Sequence, residues 1–245
     1  MTGIKRLASP HGIEIAYRHI GGTGPLIVFL PGYMSDMAGG KATAVFDSAA
    51  ANGRACLLLD YSGCGISDGD FRDGTLSRWR DEVLELIDHA GAQQVILVGS
   101  SMGGWLMLLV GLALGDRLAG LIGIAAAPDF TDWGYTEAEK ATIRREGVLY
   151  QDNSYGPEPT PTWRGFFDDG VEHELVAREI AIACPVRLLH GQADADVPWQ
   201  ISIRLAEALS SSDVRVTLIK DGDHRLSREV DIALLINAIS QLSSP

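Results

Sequence analysis

Short uninterrupted apolar runs recur along the chain, and most stretches between them repeat with helical spacing. The first segment is different. Ile13, Ile15 and Tyr17 alternate onto one face after a turn at His11-Gly12, which predicts an N-terminal antiparallel hairpin. A loop over 21–25 follows. Leu26-Ile27-Val28-Phe29-Leu30 is then continuously apolar, as a strand buried on both faces would be. Residues 55–59, 95–98, 121–127 and 186–190 repeat that signature, and 214–219 closes the series. Helices are expected over 41–52, 76–90, 102–114, about 198–209 and about 228–242. In the second of these, Trp79, Val83, Leu86 and Ile87 form one stripe. Buried strands alternating with helices predict an α/β fold. The expectation is one domain over 1–245, with a mainly parallel sheet, right-handed crossovers and helices on both faces. The rhythm breaks after Pro128. Residues 129–183 hold Trp133, Tyr135, Tyr150, Tyr155, Trp163, Phe166 and Phe167 among charges and prolines. They show no strand pattern and read as an inserted helical lid.

A chain of 245 residues with 46% hydrophobic and 21% charged residues can bury a core without disulfide or metal staples. Its formal charge of −12 repels phosphate backbones, which argues against a nucleic-acid partner. Cys56, Cys64 and Cys184 are odd in number and widely spaced, so neither a disulfide framework nor a metal cluster is suggested. Reduced thiols in a cytoplasm are expected, with Cys56 and Cys184 as buried fillers and Cys64 in a Gly-rich loop. No export signal follows Lys5-Arg6, and the most apolar stretch, 105–114, is too short to span a bilayer.

Gly99-Ser100-Ser101-Met102-Gly103 matches G-x-S-x-G, with a buried strand before it and an apolar helix after it. A tight strand-to-helix turn of this kind lifts a serine hydroxyl above the sheet edge, so Ser101 is the expected nucleophile. A serine hydroxyl is a weak nucleophile without a base within hydrogen-bond reach. Of six histidines, His224 follows the last strand and comes at the edge where ligands bind in open α/β sheets. His190, within a strand end, reads as a packing histidine, and His173 lies in the lid. The base needs an orienting carboxylate. Asp194, after the strand at 186–190, is favoured; Asp196 and Asp129 are the alternatives, Asp196 also as a helix N-cap. The oxyanion formed on attack needs two backbone donors, expected at Met102 and at Tyr33 in the loop after the first buried strand. Trp133, Tyr150, Trp163, Phe166, Phe167 and Trp199 are the residues proposed to bind an acyl group. No Walker lysine or G-x-G-x-x-G helix start accompanies the Gly-rich loop at 61–69. No cofactor or metal is required.

The elbow extends as Gly99-Ser100-Ser101-Met102-Gly103-Gly104-Trp105-Leu106-Met107-Leu108. With Leu30-Pro31-Gly32-Tyr33-Met34-Ser35, Leu188-Leu189-His190-Gly191 and Asp223-His224-Arg225, it resembles the α/β-hydrolase family of mitochondrial palmitoyl-protein thioesterases and mycophenolic acid acyl-glucuronide esterases. The resemblance runs along nearly the whole chain and is weakest in the lid. It implies a Ser101–Asp194–His224 triad acting through an acyl-enzyme. The implied substrates are carboxylic esters or thioesters, on small molecules or acylated proteins. No transit-peptide pattern accompanies it, so cytoplasmic residence is expected. The alternatives are other chemistry on this fold, such as C–C bond hydrolysis or perhydrolysis, and a non-catalytic ligand-binding role.

Overall fold

The computed structural model describes residues 3–153 and 156–243. Strands β1 (Lys5–Ala8) and β2 (Glu14–Ile20) form the expected N-terminal hairpin. β3 (Thr23–Leu30) begins earlier than the apolar run, because Thr23 already pairs with Arg54 before the register shifts. Helix α1 (Gly40–Ala51), β4 (Arg54–Leu59), α2 (Leu76–His89), β5 (Val95–Ser100) and α3 (Met102–Leu114) then alternate. β6 (Leu118–Ile124) is displaced towards the N-terminus of its expected position. Residues 125–127 are buried but leave the strand, and Ala125 takes φ 44°.

The inserted segment carries α4 (Phe130–Trp133), α5 (Glu137–Glu146), β7 (Val148–Gln151), β8 (Thr160–Trp163) and α6 (Arg164–Glu172). β7 and β8 pair antiparallel, so the lid is not purely helical as the sequence suggested. Tyr155 lies outside the described residues. β9 (Val186–Gly191), α7 (Gln200–Ala208), β10 (Val214–Ile219) and α8 (Glu229–Ser243) complete the chain.

Among the described residues the large sheet runs β1-β2-β4-β3-β5-β6-β9-β10. It is antiparallel only where β2 meets β1 and β4; every other join is parallel. Successive strand residues point to opposite faces, and the core divides accordingly. Val28, Leu30, Leu57 and Leu97 pack with Trp79 and Val83 of α2 and with Trp105 and Leu108 of α3. Ile27, Phe29, Leu58 and Ile96 pack on the other face with Val45 and Phe46 of α1 and with Leu235 of α8. Packed on the sheet and against α2, α3 is buried almost all round, which is why its sequence lacks a polar face.

The registers Leu30↔Gly99, Ser100↔Ile124, Ile124↔Leu189 and Ile219↔Gly191 end β3, β5, β6, β9 and β10 along one edge. The loops that leave this edge carry Tyr33, Ser101, Asp194 and His224.

Candidate active site

Ser101 occupies the turn between β5 and α3 at φ 54°, ψ −120°, a conformation that a residue with a Cβ rarely adopts. Its backbone is clamped into it. Ser101 N–H donates to Ile124 O at 2.9 Å, and Ser101 O accepts from Gly104 N–H at 2.8 Å and Ala127 N–H at 3.1 Å. Close packing against the first buried strand explains the glycine two positions on: a Cβ at Gly103 would stand 2.1 Å from Leu30 O.

His224 follows β10 and stands over this turn. Its Nδ1 lies 2.8 Å from Asp194 Oδ2, and its Nε2 lies 3.1 Å from Ser101 Oγ. A carboxylate only accepts, so Nδ1 carries the hydrogen and Nε2 is left to accept the serine proton. The loops bearing Asp194 and His224 touch through backbone. A Cβ at Gly191 would stand 2.1 Å from Gly222 O, and Ala193 N–H donates to Gly222 O at 2.9 Å.

The Asp194 side chain is fully buried. Burial alone would raise its carboxyl pKa. Hydrogen bonds from His190 and His224, the nearby His224 charge and the Val197 N–H outweigh that and hold it well below the usual carboxylate range. Of the two alternative acids, Asp196 is exposed, and its N–H donates to Asp194 Oδ1 at 2.9 Å. It does not cap α7, whose N-cap is Trp199. Asp129 accepts from Leu175 N–H and Val176 N–H, pinning the far end of the lid.

Among the described residues neither Tyr33 N–H nor Met102 N–H is taken up by a hydrogen bond. The Tyr33 loop is braced from below. Asp60 accepts from Met37 N–H at 2.7 Å and from Ile66 N–H at 2.9 Å, and Tyr61 OH donates to Pro31 O at 3.1 Å. Tyr33 OH donates to Pro161 O at 2.9 Å, tying the loop to β8. Asp60 and the loop after it thus support the Tyr33 loop and do not line the cleft over Ser101.

A cleft of about 730 Å³ opens over Ser101 and His224. Its wall mixes Asp36, Lys41, Gln151, Asp152 and Arg225 with Phe29, Pro31, Tyr33 and Met34, with polar groups in modest excess. Burial pushes the Lys41 ammonium down to about 8, and its Nζ donates to Arg225 O. None of Trp133, Tyr150, Trp163, Phe166, Phe167 and Trp199 lines this cleft. Phe166 and Phe167 are fully buried, Phe166 stacked on Phe130 at 5.6 Å and Phe167 edge-on to Tyr135 at 5.8 Å. Trp163 lies under Arg72, Trp133 bonds Pro128 O, and Tyr150 is 57% exposed. The aromatic rings of the lid pack on one another and not into the cleft.

Cys64 is buried in the core away from the cleft, and burial pushes its thiol up to about 12. Cys184 is only half-buried, not the buried filler expected. His173 does not reach the cleft; it bonds Ser77 Oγ at 2.7 Å. Asp194, Asp196 and His224 are the one set of potential metal ligands gathered within 4.8 Å among the described residues, and two of them already bond each other.

Residues 27–233 match the model of the alpha/beta hydrolase family. The chain belongs to that family. This hydrolase is 39% identical over 245 residues to the human palmitoyl-protein thioesterase ABHD10, mitochondrial, covering 98% of this chain and 80% of that protein. Its structure is similar to a putative hydrolase from Agrobacterium vitis S4, with TM-score 0.93, 39% identity and 99% of each chain covered. It is also similar to alpha/beta hydrolase domain-containing protein 10 from mouse, with TM-score 0.91, 38% identity and 98% of each chain covered. The human relative's name is mitochondrial, which does not match the cytoplasmic residence expected from the sequence. No described helix of the hydrolase is long and apolar enough to cross a membrane.

Proposed function

We propose that the chain is a serine hydrolase that cleaves carboxylic esters and thioesters through an acyl-enzyme. The observation that carries this is the hydrogen-bonded line from Ser101 Oγ through His224 to Asp194, at 3.1 and 2.8 Å. In the first step His224 Nε2 takes the Ser101 proton while Oγ attacks the acyl carbon. The free N–H groups of Tyr33 and Met102 receive the oxyanion, the latter at the start of α3, where the helix dipole adds to it. The C–O or C–S bond breaks, and His224 passes its proton to the leaving alcohol or thiol. Water then attacks the acyl-serine with His224 again as base, releasing the acid and free Ser101. Asp194 stabilises the imidazolium in both steps.

The relatives named palmitoyl-protein thioesterase support thioesters as substrates. The polar groups in the cleft wall, Lys41 and Arg225 among them, support in addition esters with a polar partner such as an acyl glucuronide. A fluorophosphonate probe tests the reading: the label is expected on Ser101, and Ser101→Ala should neither label nor turn over thioester or oxyester substrates. Turnover should fall on the order of 10⁴-fold or more. Ser101→Ala with near-normal turnover would falsify the assignment of the nucleophile. For the compartment we propose the cytoplasm, although three free thiols fit any reducing compartment, the mitochondrial matrix included. Fractionation of tagged full-length protein into mitochondria would reverse that.

A further inference from the structure

We propose that His190 is a positioning residue, which acts on the reaction through Asp194 without touching substrate; this rests on the roles proposed for Ser101, His224 and Asp194. His190 stands at the end of β9 and its side chain is completely buried. Two imidazoles share one carboxylate oxygen there: His224 Nδ1 is 2.8 Å and His190 Nε2 is 3.2 Å from Asp194 Oδ2. The other neighbour of His190 Nε2 is the carbonyl of Val197 at 3.0 Å. Both neighbours only accept, so Nε2 carries the hydrogen. Nδ1 is then free to accept from Ser202 Oγ at 2.7 Å. Ser202 lies on α7 and is itself buried. An unbroken hydrogen-bonded path therefore runs from α7 through Ser202, His190, Asp194 and His224 to Ser101.

The path has a geometric consequence. Asp194 Oδ1 accepts from Asp196 N–H at 2.9 Å and Val197 N–H at 2.8 Å. With the two imidazoles on Oδ2, four donors meet the roughly four lone-pair sites of a carboxylate. The carboxylate plane cannot rotate without breaking several bonds at once, so the direction in which it holds His224 is set from behind. The His190 N–H also draws charge from the oxygen that faces the His224 ring. A ring serving only to fill space at the end of β9 would be apolar, because a buried imidazole must have its polar atoms satisfied. The hydrogen bonds of the His190 ring are spent on the turn that carries Asp194 and on the helix behind it. The other titratable groups near this point are the Asp196 carboxylate, gathered with Asp194 and His224, and Asp36, Lys41 and Arg225, which line the cleft with His224.

Three variants separate positioning from mere packing. His190→Phe removes the donor and keeps the bulk. His190→Gln keeps an N–H near the position of Nε2. Ser202→Ala removes only the hydroxyl that fixes the tautomer. Steady-state kinetics on a thioester across pH 5 to 9 are read beside thermal melting. His190→Phe should lower kcat on the order of tenfold with KM little changed, the size expected for losing one hydrogen bond to a charged group. Its acidic limb of kcat/KM should move to higher pH, because an Asp194 stripped of one donor pulls harder on the His224 imidazolium. His190→Gln should restore most of kcat and the position of the limb, and Ser202→Ala should show the same shift in smaller measure. A folded His190→Phe with unaltered kcat and limb overturns the proposal. So does a loss of kcat that leaves the limb in place and is not restored by glutamine. If His190→Phe does not fold, an unaltered profile in Ser202→Ala overturns it instead. Fluorophosphonate labelling keeps the two claims apart. Labelling that depends on Ser101, with an indifferent His190→Phe, removes only the role of His190. An unmodified chain that fails to label at Ser101 removes the triad beneath it as well.

Discussion

Asp194 and Glu82 are buried carboxylates with opposite consequences. The folded-state pKa of Asp194 is held down, so its ionised form stabilises the fold above the unfolded value of about 4 and loses that contribution as pH falls towards the folded value. Asp194→Asn should therefore weaken the fold at pH 7 and less so at pH 3 in denaturant titrations. It should also lower turnover on the order of 10⁴-fold, because an amide favours the wrong tautomer of His224. Glu82 on α2 is fully buried; burial raises its carboxyl despite the Ser62 N–H at 3.0 Å. A raised carboxyl in the fold means that the unfolded chain ionises first. Its charge then opposes folding increasingly as pH rises from the unfolded value towards the folded one. Glu82→Gln should raise the melting temperature at pH 8 and leave it nearly unchanged at pH 4; a lower melting temperature at pH 8 would count against this account. At this scale Ser101, His224 and Asp194 were legible because each follows a recognisable strand within a few residues. His190 was not, because a histidine at a strand end has the same local pattern whether it packs or donates.

At the scale of elements, the elbow depends on how closely α3 approaches β3. Gly103→Ala would drive a Cβ into Leu30 O at 2.1 Å and Pro31 O at 2.5 Å, both backbone atoms that cannot step aside. It should cost about 1–3 kcal/mol or more, as overpacking does. At about 2–4 °C of melting temperature per kcal/mol for a chain of this size, calorimetry reads it directly. Buried strands and flanking helices were legible because each carries its own period over enough residues. The β7–β8 hairpin was not. Each strand has only four residues, and Pro161, which cannot donate to a ladder, argues against a strand yet is tolerated in a two-stranded ribbon. The shift of β6 has a similar origin: Ala125, Ala126 and Ala127 continue its apolar run but are buried in the turn that receives Ser101 O.

In the whole molecule, the inserted segment is closed on itself by Asp129, which accepts from Leu175 and Val176, and is tied to the loop after β3 by Tyr33, which donates to Pro161. Asp129→Ala leaves the buried Leu175 N–H and the half-buried Val176 N–H without their acceptor and should cost about 1–3 kcal/mol. The lid should then be cut faster in limited proteolysis, while fluorophosphonate labelling of Ser101 persists; unchanged cleavage would remove Asp129 as its anchor. Apolar period and turn chemistry along the chain were enough to determine the fold class, the elbow and the histidine after the last strand, since these depend on neighbours within a few residues. Only the folded chain decided that the aromatic residues of the insertion would pack on one another and not into the cleft. It alone decided that a second imidazole would back Asp194, and that Asp60 and Tyr61 would brace the Tyr33 loop. Those outcomes turn on which side chains the folded loops bring together, and a one-dimensional pattern carries burial and period but no partner.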